Sequence, residues 1–180
     1  PSQARELGVE TVYQDLALCP HLDPVNNLFL GREIKARGLL GALGFMNRKE
    51  MRQQSIDAFS DLGATVRTLT EPVGTMSGGQ KQSIAVARAA AWANKIIFLD
   101  EPTAALGVVQ TANVLDLIRR VRDKGIGVVL ISHSMPEVLA VADRVQVMRR
   151  GRRVAIYQAA NTNIEELVAT MTGKLDEEVA

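Results

Sequence analysis

Two uninterrupted apolar runs of strand length, separated by one amphipathic segment, constrain the fold of this chain most strongly. The runs are residues 95–100 (KIIFLD) and 127–132 (GVVLIS), and neither alternates with polar residues. Such runs are typical of parallel strands that are covered on both faces. Between them, apolar residues recur at helical spacing from 109 to 121, and Gly125 follows where a helix stop belongs. The pattern predicts a helix that crosses over a parallel sheet.

The remaining patterns predict further elements on both sides of this unit. Residues 8–13 (GVETVY) are a candidate strand, and the segment from 15 to about 71 is helical and loop-rich, which indicates a helical insert. The other predicted elements are helices at 81–93, 135–142 and 163–172 and strands at 144–148 and 153–157, joined at Gly151. We therefore expect an α/β fold in which a helical subdomain is inserted between one core strand and the rest of the core.

Composition and charge argue against several classes of protein. The 180 residues carry a net charge of +1, which gives no global field for capturing nucleic acid. Four arginines surround Gly151, but without interleaved aromatic residues they indicate a solvated hairpin tip. The single cysteine, Cys19, cannot form an internal disulfide, which suits a reducing cytosol, and with His21 it supplies only two potential ligands, too few for a zinc site. No apolar stretch approaches the roughly 18 residues of a membrane span.

Acidic residues follow the first apolar run directly. Asp100 and Glu101 come at the end of the predicted strand, and Pro102 follows them. Ligand crevices of open parallel sheets lie outside the carboxyl ends of the strands. Because successive side chains point to opposite sides, one carboxylate suits a magnesium ion held through water and the other suits an attacking water. The alternative is a strand end that simply caps the next helix.

A glycine pair opens the predicted helix at 81–93. Ser77 and Gln80 have the spacing of a capping box, and Gly78 and Gly79 lie between them. Each glycine costs about 1 kcal/mol relative to alanine in a helix. Their advantage is that bare backbone N–H groups at a helix N-terminus can approach a phosphate closely. A tight turn into a helix is the alternative explanation.

Two polar residues follow the other predicted strands. His133 comes after GVVLIS, where an imidazole can bond a terminal phosphate and the attacking water, although a lone histidine there is more often a cap or core residue. Gln14 follows GVETVY, where its amide can reach a metal-bound water. Each of these patterns is weak by itself.

Taken together in chain order, Gln14, MSGGQ at 76–80, FLDEP at 98–102 and His133 resemble the nucleotide-binding domain of ATP-binding-cassette (ABC) transporters. The resemblance runs from one end of the chain to the other. It implies a P-loop NTPase-like (RecA-like) core of mostly parallel sheet. It also implies three segments: a core strand ending in the Q-loop at 1–14, a helical subdomain at 15–76, and the signature helix with the remaining core and a C-terminal helix at 77–180.

The resemblance also implies roles for single residues. Gln14 is expected to be the Q-loop glutamine, which senses magnesium and couples to the membrane subunits. The signature motif is expected to touch ATP bound to the opposite protomer; its residues are Ser77, Gly78, Gly79 and Gln80. Asp100 is expected at Mg²⁺, with Gln14 also acting through water. Glu101 is the expected general base, and His133 the expected switch histidine.

Two departures from the family pattern stand out. No G-x-x-x-x-G-K-[ST] motif occurs in the sequence, although that loop and its lysine form the phosphate cradle of the family and precede the position of Gln14. Pro1 is therefore expected to follow the cradle, the N-terminal part of the core to be absent, and the chain by itself to bind ATP weakly without hydrolysing it. Second, Gly107 replaces the usual aspartate of the D-loop, in ALG rather than ALD.

EPTAALG at 101–107 and IEELVATMTG at 164–173 are similar to the subgroup that imports ribose-, xylose- or fructose-like monosaccharides. The expected function is the ATP-hydrolysing subunit of such an importer, at the cytoplasmic face of the plasma or inner membrane. Its implied partners are permease subunits, a second nucleotide-binding domain in a head-to-tail dimer and, indirectly, an extracytoplasmic sugar-binding protein, with no nucleic acid. A non-transport ABC-type ATPase or regulatory factor remains the alternative. A DNA-maintenance ABC protein is disfavoured, because only 62 residues, 15–76, separate Gln14 from Ser77 and they lack sustained heptads.

Overall fold

The computed structural model of the protein describes residues 2–173. Pro1 lies outside the described residues. So do residues 174–180, which form the last part of the expected segment 77–180. The chain divides into two compact units, Pro1–Ile131 and Ser132–Ala180. The three segments expected from the sequence divide the chain by role instead, and that division stays a prediction.

The first unit contains the predicted sheet and most of the helices. Its strands are β1 (Val9–Val12), β2 (Ile96–Asp100) and β3 (Gly127–Ile131). Its helices within the described residues are α1 (Ser2–Glu6), α2 (Pro24–Phe29), α3 (Leu39–Ala42), α4 (Arg48–Leu62), α5 (Gly78–Trp92) and α6 (Val108–Asp123). A single 3₁₀ turn, Val73–Thr75, precedes α5.

The sheet is parallel and has the order β1-β2-β3, which confirms the predicted strand–helix–strand unit. Val12 is paired with Leu99, and Asp100 is paired with Ile131. β1 therefore ends one residue before β2. The segments that follow both strands begin at the same edge of the sheet, which is where the sequence predicts the site.

The expectation that both faces of these strands are covered is wrong for the described residues. In β2, Ile97 and Leu99 are buried, but Ile96 and Phe98 are 37% and 36% exposed. Val129 of β3 is also exposed. Helices α5 and α6 pack on the sheet, and none of the residues 2–173 buries the alternate positions of β2. The lack of polar alternation therefore identified the strands correctly but not their burial: β2 is covered on one face, and no residue of β3 is fully buried.

A buried ion pair ties β1 to the helical part of the first unit. Glu10 is 9% exposed, and Arg32 Nη2 donates to its Oε1 at 2.6 Å. The Arg32 guanidinium carbon also lies 4.9 Å from the ring centroid of Trp92, the last residue of α5. The Trp92 indole N–H donates to the Leu28 carbonyl oxygen of α2 at 2.9 Å. Arg32 thus connects β1 to the end of α5, and Trp92 connects the end of α5 to α2.

The second unit has its own small core. It consists of α7 (Met135–Val141), the antiparallel strands β4 (Arg144–Arg149) and β5 (Arg152–Gln158), and α8 (Ile164–Thr172). The predicted hairpin is confirmed, and its two-residue turn has φ of 48° at Arg150 and 75° at Gly151, as tight hairpins require. Leu167 of α8 is buried against β4 and α7 side chains. Within residues 2–173, every helix is too short or too polar to cross a bilayer.

We predict that Arg32→Met lowers the free energy of unfolding by about 2 kcal/mol, because it leaves the Glu10 carboxylate buried without its closest partner. Urea unfolding of the protein measures this change. Arg67→Met is the matched control, since the Arg67–Glu71 pair is exposed on both sides and its loss should cost under about 0.5 kcal/mol. Equal losses in the two variants would contradict the structural role of the Glu10–Arg32 pair.

Candidate functional site

An open cleft lies at the carboxyl edge of the sheet in the first unit. It has a volume of about 800 Å³ and is lined by Tyr13, Gln14, Asp15, Ala17 and Asp100. The parallel register of β1 and β2 explains this convergence, because both strands end at this edge. The structure thus brings together Gln14 and Asp100, the residues that the sequence predicts at the metal.

Glu101 extends the pairing of β2 with β3 by one hydrogen bond, and the chain turns at this residue. Its backbone N–H donates to the Ile131 carbonyl oxygen at 2.9 Å, and its φ is 46°. A left-handed conformation is costly for a residue with a Cβ atom and, where it persists, often marks a functional position. Helix α6 begins only at Val108 with Gly107 as N-cap. The acidic pair therefore does not cap the next helix, which removes the structural alternative for these two residues.

The backbone after Gln14 is held in an unusual conformation by Arg88 of α5. Leu16 and Ala17 have φ of 63° and 45°, and the Arg88 guanidinium donates to their carbonyl oxygens at 2.9 and 2.8 Å. Burial lowers the pKa of Arg88 from its ordinary value, whereas the nearby Glu10 carboxylate acts in the opposite direction. Arginine nevertheless stays charged. Helix α5, whose N-terminus carries the predicted signature motif, therefore fixes the turn that follows Gln14.

The predicted capping box at the start of α5 is present. The Ser77 hydroxyl accepts from the Gln80 N–H at 3.3 Å, and the Gln80 side-chain oxygen accepts from the Ser77 N–H at 3.2 Å. Ser77 and Gly78 are exposed to solvent, and Gly79 and Gln80 are partly exposed. This helix N-terminus is therefore accessible to a ligand or to another molecule.

The two glycines of the signature motif differ in their surroundings. A Cβ atom at Gly78 would lie 3.4 Å from a Leu106 methyl group, which is an ordinary contact. A Cβ atom at Gly79 would lie 2.7 Å from Cγ of Gln110 in α6. Packing inside this chain thus explains why residue 79 is glycine. No contact among the described residues requires glycine at position 78, so its lack of a side chain points to the close approach of a ligand or another molecule.

His133 belongs to the second unit, two residues after the end of β3. Its expected place beside Asp100 and Glu101 stays a prediction. In residues 2–173 there is no cluster of three or more His, Cys, Asp or Glu side chains that could hold a metal. The residues at the cleft nonetheless fit Mg²⁺, because Asp100 and Gln14 offer oxygen ligands in an open space and this cation keeps several waters.

Two residues important to the site were not predicted from the sequence. Arg88 supports the turn after Gln14, and Gln110 packs against Gly79. One feature of the sequence could have identified Arg88: it is the only charged residue between Ser83 and Trp92, in an alanine-rich helix. Such an arginine needs a polar partner wherever it is half-buried. Gln110 has no comparable pattern.

We predict that Arg88→Lys lowers the free energy of unfolding by about 2 kcal/mol, because an ammonium cannot replace both guanidinium hydrogen bonds. The amide of Leu16, which donates to the Tyr13 carbonyl oxygen at 2.9 Å, should then exchange with solvent faster. Urea unfolding and amide hydrogen exchange measure the two effects. The control Arg153→Lys, on the exposed hairpin, should change neither. Unchanged exchange at Leu16 in Arg88→Lys would contradict the bracing role.

Comparison with known proteins identifies related sequences. The family described as ABC transporter matches residues 2–104. The fructose import ATP-binding protein FrcA of Rhizobium meliloti is 47% identical over 175 residues, which cover 96% of this chain and 67% of the relative. The xylose/arabinose import ATP-binding protein XylG of Sulfolobus acidocaldarius is 41% identical, with 96% and 66% covered. The ribose import ATP-binding protein RbsA of Streptococcus agalactiae is 40% identical, with 97% and 34% covered.

The chain thus spans between one third and two thirds of the length of these relatives. Among solved structures, a dimeric ATP-binding cassette in a post-hydrolysis state with ADP and Pi has a TM-score of 0.67. It is 24% identical in sequence, and the similarity covers 84% of this chain and 62% of that one. This likeness supports the expected α/β fold. From the family match and the identity to curated relatives, the chain belongs to the ABC transporter family.

Proposed function

We propose that this chain supplies residues for ATP binding and hydrolysis in the cassette subunit of an importer whose cargo is a monosaccharide. The observation that carries the proposal is the cleft in which Gln14 and Asp100 lie together at the carboxyl edge of the sheet, next to Glu101. The names of the relatives, which are import proteins for fructose, xylose/arabinose and ribose, favour import over a non-transport ATPase or regulatory factor.

In this proposal the cleft holds the metal of the bound nucleotide. Asp100 and Gln14 hold Mg²⁺ through water, as suits a cation that dehydrates reluctantly. When bound, the ion neutralises charge on the terminal phosphates. This sequence contains no G-x-x-x-x-G-K-[ST] loop. The proposed site residues therefore account for binding of the metal, activation of the attacking water and the signature contact, but not for the phosphate cradle.

Glu101 and His133 have separate tasks in the proposed hydrolysis. The Glu101 carboxylate orients the attacking water and accepts its proton, and its left-handed backbone directs the chain away from the sheet at this point. His133 donates a hydrogen bond to the terminal phosphate.

The signature motif acts on a nucleotide held by a second cassette in this proposal. The accessible N-terminus of α5 offers the Ser77 hydroxyl, the bare backbone at Gly78 and Gly79, and the Gln80 amide. Backbone N–H groups at a helix N-terminus favour phosphate oxygens. The arrangement requires a head-to-tail pair of cassettes, and the dimeric solved relative has the fold that such a pair would use.

The remaining proposed partners follow from the import function. Permease subunits bind the helical subdomain at 15–76, and a periplasmic or extracellular sugar-binding protein delivers the cargo to them. The chain then works at the cytoplasmic face of the membrane. From the sequence we also predict that these 180 residues, tested without a phosphate-binding loop, bind ATP weakly and do not hydrolyse it.

We predict that Glu101→Gln in the intact protein lowers ATP turnover at least about 100-fold, because the amide cannot accept the proton of the attacking water. ATP binding should persist, since the substitution removes neither Asp100 nor the signature motif. Steady-state phosphate release and equilibrium nucleotide binding measure the two quantities. Glu165→Gln, at an exposed carboxylate in α8, is the control and should leave both unchanged. Turnover close to the unsubstituted rate in Glu101→Gln would remove Glu101 from the proposed role.

Gly78→Ala separates the functional role of the signature motif from its structural one. The added methyl group fits beside Leu106, so the free energy of unfolding should stay the same or rise by up to about 1 kcal/mol. ATP turnover of the intact protein should nevertheless fall tenfold or more, because the methyl group blocks the approach of a phosphate. Gly79→Ala, which meets Gln110, should lower stability as well. Normal turnover in a stable Gly78→Ala protein would contradict the proposed contact.

A further inference from the structure

A small lobe projects from the helical part of the first unit between α2 and α4. This lobe, the apolar lobe, consists of residues 34–47 and contains α3. Its two ends pair as an antiparallel bridge, Lys35 with Met46, and Ala36 and Phe45 are joined by a backbone hydrogen bond of 2.8 Å. Asn47 closes the lobe, because its N–H donates to the Ile34 carbonyl oxygen at 2.7 Å.

Three glycines give this lobe a specific shape. Gly38 and Gly44 have φ of 66° and 87°, which favour glycine, and they flank α3. A Cβ atom at Gly41 would clash with the Ala36 carbonyl oxygen. Helix α3 therefore approaches the backbone at Ala36 this closely only because residue 41 has no side chain. The lobe therefore has a defined backbone conformation and is not an irregular loop.

The lobe buries none of its apolar side chains. The exposed fractions are 78% for Leu39, 57% for Leu40, 66% for Leu43, 60% for Phe45 and 40% for Met46. These five residues lie within eight positions of one another and share one short hairpin. A specific backbone that presents only exposed leucines and a phenylalanine stabilises no core of this chain. Its apolar residues are therefore available to something outside it.

Basic side chains surround the apolar residues. The cations are Lys35 and Arg37 in the lobe and Arg48, Lys49 and Arg52 at the start of α4; all are exposed. None of these five takes part in an ion pair found among residues 2–173. Two nearby carboxylates form hydrogen bonds with neighbouring residues of the same segment. Glu50 accepts a hydrogen bond from the Asn47 side chain. Glu33 accepts one from the Gly31 N–H, which lowers the pKa of the Glu33 carboxyl.

The position of two of these cations argues for an external partner. Arg48 and Lys49 occupy the first turn of α4, next to the positive end of the helix dipole. Acidic residues are favoured there, and cations are disfavoured. Their place is therefore not explained by the stability of α4. It is explained if the charges face an anionic surface that also receives the leucines.

We infer that the apolar lobe inserts its leucines and Phe45 into the interface of an anionic lipid bilayer, with the five cations contacting lipid headgroups. Exposed leucine and phenylalanine beside lysine and arginine is the combination that binds such an interface. A protein partner is less favoured, because the fully buried cores of protein interfaces are depleted of charged residues, whereas five cations surround these apolar side chains. This contact is additional to permease docking and does not depend on ATP hydrolysis.

The test is flotation of the intact protein with vesicles of phosphatidylcholine alone or with 30% phosphatidylglycerol added. We expect binding to the anionic vesicles that weakens as salt is raised. Leu40→Ser with Leu43→Ser should lower the partition coefficient at least about tenfold. Arg37→Gln with Lys49→Gln should lower it about 20-fold on anionic vesicles only. All four positions are exposed, so thermal unfolding should be unchanged.

The control is Val108→Ser with Val109→Ser, which removes exposed apolar side chains of α6 and should leave partitioning unchanged. Equal partitioning of the protein onto neutral and anionic vesicles would overturn the proposal, as would equal losses in the control and lobe variants. If the protein ignores both vesicles while Leu40→Ser with Leu43→Ser abolishes co-purification with a permease in detergent, the proposal is also overturned, and the lobe belongs to a protein interface.

Discussion

The parallel register of β1 and β2 is the constraint on which the candidate site depends. Because Val12 is paired with Leu99, β1 ends one residue before Asp100, the last residue of β2, and Gln14 and Asp100 line one cleft. Register alone does not hold the chain beyond β1, since Leu16 and Ala17 adopt left-handed conformations. The charged hydrogen bonds from Arg88 supply that restraint. A single half-buried guanidinium therefore connects the turn after Gln14 to helix α5, whose N-cap Ser77 and first residue Gly78 lie 11 and 10 residues before Arg88 in the sequence.

Much of this architecture could be predicted from the sequence, because it rests on local patterns. Apolar runs located β2 and β3, helical spacing located α6, and the turn at Gly151 located the hairpin of the second unit. Motif order also led to the correct family. Long-range effects could not be predicted in this way. Arg88 finds its carbonyl partners more than 70 positions away, and Gln110 meets Gly79 from another helix. The number of covered sheet faces also depends on which helices pack there, which no single strand encodes.

Exposed apolar side chains occur in two different settings in the first unit. On β2 and β3 they belong to the open face of a sheet whose other face is packed by α5 and α6. In the apolar lobe they belong to a hairpin that exposes five of its large apolar side chains, and cations accompany them. Charge distinguishes the two, since apolar surface beside unpaired lysine and arginine suits an anionic boundary. The proposed nucleotide chemistry and the proposed lipid contact thus involve separate residues.

The central claim is that the metal of a bound nucleotide lies at the carboxyl edge of the sheet, between the ends of β1 and β2. Paramagnetic broadening of backbone amide signals by Mn²⁺ bound with ATP to the intact protein tests it most directly, because broadening falls steeply with distance from the ion. The account predicts the strongest broadening at residues 13–17 and 100–101, and its loss in Asp100→Asn. Broadening centred on any other set of residues, or unchanged in Asp100→Asn, would contradict it.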